Sequence, residues 1–309
     1  MLHQLDWQFR GLDVIAIIVW LFTIVITVIF SLIYIAKLCL FPGTVRRQLT
    51  SDVVELCCLA NLSITFGAIV DMLALVCAKS WGPSWGTAAY VLSWINVGLV
   101  FPVVVGIPYV YFYREPPGVE KTPPSIVFPA NAAITASATC GVVCYAGKLT
   151  AREQVPMIMV GYILLGLGLN FAFLTTCIYV VRLLDGGFPQ RPQVLLNFIL
   201  VGPLGQAAYA AQILGMATSS PGNRSFADYN RGTFITESAG QTISVVSILS
   251  GLVIWGYGAF WLLFSLATTV HLGFFTDGGI KTTQYSLSAW SPVFPWVRSR
   301  HTSYYCRLY

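Results

Sequence analysis

Long apolar runs separated by short polar segments set the pattern of this chain. Seven fall at 14–36, 54–78, 87–112, 125–147, 156–181, 194–217 and 240–270, and a shorter one at 285–297 begins like an eighth before charge interrupts it. A helix that crosses hydrocarbon needs about 20 consecutive apolar residues, so each of the seven is long enough to span. The pattern predicts an all-α polytopic membrane protein: seven full spans and a partial eighth, forming a single transmembrane domain over 1–309.

Punctuation between the runs agrees. The first ends at Lys37 and then Phe41-Pro42-Gly43, a stop signal. The loop after the second carries Trp81 and Trp85, as an interface belt would. The pattern predicts that the remaining runs are arranged around the one at 194–217, which has no charge and holds Val201-Gly202-Pro203-Leu204-Gly205-Gln206. Pro203 lacks a backbone N–H and pushes against the carbonyl of Ile199, which predicts a kink there. A freed backbone group facing lipid costs several kcal/mol, so such a break belongs where protein or water receives it. Helical spacing puts Gly202, Gly205, Ala208 and Gln212 on one broad side, with Gln206 beside Gly202. That face suits either a tight helix–helix contact or a permeation path. The fourth and sixth runs and the partial eighth combine a proline with small residues, whereas the first, fifth and seventh are bulkier. This fits alternate helices lining a centre; the third, with Pro102 and Pro108, departs from the rule.

Composition sharpens the class. Only 9% of residues are charged and mean hydropathy is +0.74, against roughly 25% charged in soluble domains. The net charge of +5 is thinly spread, with no basic block for nucleic acid. The eight cysteines lie mostly inside spans and read as apolar fillers without a disulfide framework. Asp6, Trp7 and Arg10 precede any apolar run, so no cleavable signal peptide is expected. Loop charges on one side comprise Lys37, Arg46, Arg47, Arg114, Lys121, Arg182, Arg191 and Lys281. The other side has Arg10, Lys79, Lys148, Arg152, Arg224 and Arg231. The positive-inside rule therefore places the first set in the cytosol. The sequon at Asn223-Arg224-Ser225 then falls outside, as a glycosylation site must. His3, His271 and His301 sit at ends or loops with no ligand spacing, so no metal, cofactor or enzymatic activity is expected. Asp71 is the one acid well inside a span, and is either a functional intramembrane carboxyl or a hydrogen-bonded one near the interface.

Four stretches carry a resemblance. They are Phe9-Arg10-Gly11-Leu12-Asp13 with Leu40-Phe41-Pro42-Gly43; Arg182-Leu183-Leu184 with Gly187-Phe188-Pro189 and then Val201 to Gln206; Trp255 to Trp261; and Tyr285 to Pro295. Together they resemble the tellurite-resistance/dicarboxylate transporter family, which includes fungal malate permeases, fungal sulfite efflux pumps and plant slow anion channels. The resemblance implies ten helices in five hairpins around a central pore, of which this chain would carry seven and part of an eighth. It also implies that a phenylalanine before a proline plugs the pore, here Phe294 before Pro295. An aromatic stopper in an uncharged corridor closes it by sterics and dewetting, and helix ends would then supply a weakly positive potential. No counterpart of the family's first helix precedes the first run, and Arg298, Arg300, His301 and Arg307 follow Pro295, so truncation at both ends is expected.

The expected function is a transporter or channel for small anions through a Phe-gated neutral pore, with C4-dicarboxylates such as malate first and sulfite second. A seven-helix receptor is a more distant alternative, since no Asp-Arg-Tyr or Asn-Pro-x-x-Tyr occurs at the required places. Expected site residues are Gly202, Pro203, Gly205, Gln206, Phe294 and Pro295, with Asp71 as an intramembrane acid and Asn223 as a glycan acceptor. Expected partners are a small anionic solute, membrane lipid and further copies of the chain, in the cell membrane.

Overall fold

The computed structural model describes residues 11–113, 118, 122–187, 193–219, 228–229 and 236–274. The expectations at Asn223, Phe294, Pro295 and the partial run 285–297 fall outside them. Among the described residues the fold is all-α, with seven helices long and apolar enough to cross a membrane. They are α1 (Leu12–Leu40), α3 (Val53–Ser80), α4 (Pro83–Tyr113), α5 (Pro124–Ala146), α6 (Ala151–Gly186), α7 (Leu195–Ser219) and α8 (Glu237–Phe274). A short polar helix, α2 (Pro42–Ser51), joins α1 to α3.

Local chemistry sets the ends. Pro42 opens α2 at a position whose N–H would be unpaired anyway. Asp52 caps α3, its Oδ1 accepting from the backbone N–H of Val54 at 2.8 Å and of Glu55 at 3.3 Å. Thr150 and Glu153 form a capping box at the start of α6. That cap starts α6 five residues earlier than the apolar run at 156–181 implied, and leaves Pro156 inside the helix. In α4, Pro102 opens a widened π turn over Pro102–Gly106, where a missing N–H is absorbed.

Burial ranks the helices. In the most apolar stretch of α5 and of α7, 94% of residues are inside the protein, against 33% in α3 and α4 and 6% in α1. The centre is therefore the α5–α7 pair. α6 packs on both, α8 on α7, and α3 and α4 on α5. Alternation along the chain thus holds for α5 and α7, while α3 is no more buried than its neighbour α4.

Glycines set the spacing. A Cβ on Gly161 of α6 would stand 2.7 Å from Leu214 of α7 and 3.3 Å from Cys140 of α5, so the three helices meet at one point without room for a methyl group. α1 meets the bundle mainly through buried Leu12 and Ala16 and an ion pair between Lys37 and Glu55 at 3.6 Å. Trp20 packs on the core, while many other large side chains of α1, such as Phe22 and Phe30, face outward, where lipid solvates them.

Candidate channel centre

α7 does not kink at Pro203. A 3-10 segment, Gln193–Leu200, passes into regular α-helix at Val201, and Pro203 falls in the first turn of the α-helical part. A first-turn proline has no intrahelical N–H to lose, so the irregularity comes one turn earlier than the sequence implied. Gly202, Pro203, Gly205 and Gln206 are all buried inside the bundle.

Much of the small face of α7 is taken by α8. A Cβ on Gly251 would meet Gln212 Cγ at 2.9 Å and the carbonyl oxygen of Ala208 at 3.1 Å. A Cβ on Gly258 would meet Leu204 Cβ at 3.3 Å and the Gly205 nitrogen at 3.8 Å. A Cβ on Gly215 would meet Ser247 Cβ at 2.7 Å and the Ser244 carbonyl oxygen at 3.2 Å. Close helix packing therefore accounts for Gly205, Ala208 and Gln212. Gln206 lies elsewhere, about 160° around the helix from Ala208 and only about 20° from Ile213 at 100° per residue. Ile213 touches Gly141 of α5, so Gln206 points toward the α5 side. It is fully buried, and both its amide oxygen and nitrogen have no hydrogen-bond partner among the described residues. A buried amide with nothing to bond costs a few kcal/mol.

α5 carries a second set of buried polar groups. Asn131, Thr135 and Thr139 recur every fourth residue and form one stripe. Each has an oxygen without a hydrogen-bond partner among the described residues. On α3 the facing stripe is Ser63, Gly67 and Asp71, at the same spacing. Asn96 of α4 closes the group, its Oδ1 accepting from Ser63 Oγ at 2.8 Å. Asp71 is 3% exposed, so the acid lies inside the helix bundle. In sequence only Asp71 stands out here; the signal for the rest is the four-residue recurrence in 131/135/139 and 63/67/71.

One end of the bundle gathers three helix starts. The 3-10 turn that begins α5 touches both the first residues of α3 and the 3-10 turn that begins α7, so these N-termini share one mouth, beside the C-terminal ends of α4, α6 and α8. Arg182, near the C-terminal end of α6, joins them there, donating from Nη1 to the carbonyl oxygen of Thr122 at 3.0 Å and lying 6.0 Å from the Tyr179 ring centre. A cleft at this end is lined by Thr122, Pro124, Thr175, Tyr179, Arg182 and Leu200. Behind it Tyr179 donates to Asn197 Oδ1, and Asn197 Nδ2 donates to Thr268 Oγ1 at 3.5 Å, tying α6 to α7 and α8. Among the described residues no cluster of three His, Cys, Asp or Glu side chains could hold a metal.

The match to known proteins now fits this geometry. A family model described as voltage-dependent anion channel, SLAC1, matches residues 1–299. The chain belongs to the SLAC1 anion-channel family. Similar proteins include the sulfite efflux pumps of Arthroderma benhamiae and Trichophyton rubrum, each 24% identical over 96% of this chain and 74% of the pump. The malic acid transport protein of Schizosaccharomyces pombe is 23% identical over 89% of this chain and 60% of its own length. As a SLAC1-family member with seven apolar helices, the chain is a multi-pass membrane protein of an anion channel and transporter family.

Proposed function

We propose that this chain lets small anions cross the cell membrane along the α5–α7 centre, past Gln206, with Phe294 as the aromatic stop. The observation that carries the reading is a fully buried amide, Gln206, without a hydrogen-bond partner among the described residues of the α5–α7 centre, with the Arg182 guanidinium giving positive charge at the mouth where α5 and α7 begin. An entrance of that sign raises the local concentration of anions without binding them tightly. Selectivity by weak, dispersed potential lets the ion leave again.

Two anions compete. The match to the sulfite efflux pumps runs over 96% of this chain, against 89% for the malic acid transport protein, and leans toward sulfite. We therefore place sulfite ahead of C4-dicarboxylates such as malate, reversing the order expected from sequence. The loop charges put the positive mouth in the cytosol, which suits export. The test is efflux of labelled sulfite and labelled malate from cells expressing the chain. Faster loss of sulfite than of malate is expected; loss of neither above the empty-vector rate overturns the proposal.

A further inference from the structure

We propose that the seam between α3, α4 and α5 is a hydrated proton-binding site, in which water held by Asn96, Thr135 and Thr139 carries protons to and from the Asp71 carboxyl. This site is separate from the path past Gln206 and does not depend on which anion passes there.

The seam is built from two facing stripes at the same helical spacing. Gly67 is its tightest point: a Cβ there would stand 3.0 Å from both Asn96 Nδ2 and Thr139 Oγ1 and 3.6 Å from Thr135 Cγ2. Two atoms that each lie 3.0 Å from one point are close enough for a single water to bridge them. Ser63 fixes the Asn96 amide by donating to its Oδ1, which leaves Nδ2 as the donor turned toward Gly67. Asn96, Thr135 and Thr139 are each 0–1% exposed. Asn96 Nδ2, Thr135 Oγ1 and Thr139 Oγ1 have no hydrogen-bond partner among the described residues. At membrane depth an orphaned polar group is costly, and three together are too costly to leave dry.

Water suits these donors better than an anion does. The amide can only donate, while each hydroxyl can donate or accept, so a water with two to four partners satisfies all three. Asp71 lies one helical turn beyond Gly67, and a bound anion would stand about 6 Å from its carboxyl. Across the seam, Asp71 is an electrostatic neighbour of the Cys140 thiol, whose Sγ is 3.8 Å from Ser93 Oγ of α4. Among the described residues, the titratable and charged groups toward Asp71 are Cys140 on α5, buried Cys77 on its own helix, exposed Lys79 at the end of that helix, and exposed Asp13 at the same end of α1; α4 brings Ser93 and Asn96. The step is a plain protonation: the carboxylate gains a proton from the water chain and becomes a carboxylic acid, and the reverse returns it. A change of one unit charge inside the bundle gives pH a handle on any anion moving beside it.

The experiment is pH-difference infrared spectroscopy of the full chain in lipid nanodiscs, which needs no transport. A carboxylic-acid C=O band that titrates reversibly and is missing in Asp71→Asn is expected. Asp71→Glu, which keeps the carboxyl and moves the band, makes the assignment if the asparagine variant does not fold. In D2O the band should shift at once in the wild type and several-fold more slowly in Asn96→Leu and Thr139→Val, which remove the water's partners. Absence of any titrating band that depends on residue 71 overturns the proposal. So does a band whose exchange is equally fast in both seam variants.

Discussion

Gly251 of α8 lies against Gln212 and Ala208 of α7 so closely that a Cβ would stand 2.9 Å from Gln212 Cγ and 3.1 Å from the Ala208 carbonyl oxygen. The glutamine can swing aside; the carbonyl belongs to the helix and cannot. Gly251→Val is therefore expected to force α8 off α7 and to destabilise the protein by about 1–3 kcal/mol. Gly256→Ala on the same helix, with nothing within 4 Å of its Cβ, should be close to neutral. Thermal unfolding in detergent compares them, and equal melting temperatures would contradict the contact.

A stricter case is Gly86. Its Cβ would stand 2.0 Å from the carbonyl oxygen of Gly147, so the start of α4 and the end of α5 touch backbone to backbone. Gly86→Ala should lower the melting temperature clearly, while Gly98→Ala, which meets nothing within 4 Å, should not.

Tyr179, Asn197 and Thr268 test the network behind the mouth. Asn197 is fully buried. Tyr179→Phe removes its donor and leaves Oδ1 unpaired, at an expected cost of about 1–3 kcal/mol. Adding Asn197→Leu to that variant should cost less than the sum of the two single changes, because no orphan is left. A double-mutant cycle on unfolding gives the coupling, and strict additivity would contradict it.

The start of α3 rests on Asp52. Asp52→Ala removes the acceptor for two backbone N–H groups and should cost about 0.5–2 kcal/mol, with Asp52→Ser recovering most of it. Unfolding of the two variants relative to wild type is the measurement.

Much of this fold was legible because lipid imposes a simple rule: a helix must be long and apolar, and length and hydropathy are read directly from residues. The seven spans follow from that. Helix ends were less legible, since Thr150 and Glu153 extend α6 through a polar stretch that hydropathy reads as loop. Pro203 misled for a related reason. A proline predicts a kink only if helix precedes it, and the 3-10 segment before Val201 is a tertiary choice made where α5 and α7 meet. The site was legible in part. Gln206 stood out as an amide among apolar residues, whereas Asn131, Thr135 and Thr139 were hidden in a run of small residues whose polar character shows only when α3 and α4 are brought against it. Which residues of α7 face α8 and which face α5 depends on partners that no single helix encodes.

The most direct test of anion passage past an aromatic stop is sulfite flux in proteoliposomes, comparing the wild type with Phe294→Ala and Gln206→Leu. The expected result is measurable wild-type flux, a several-fold rise when the phenylalanine is removed and a fall when the amide is lost. Flux indistinguishable from protein-free liposomes in all three, or identical in all three, would contradict the account.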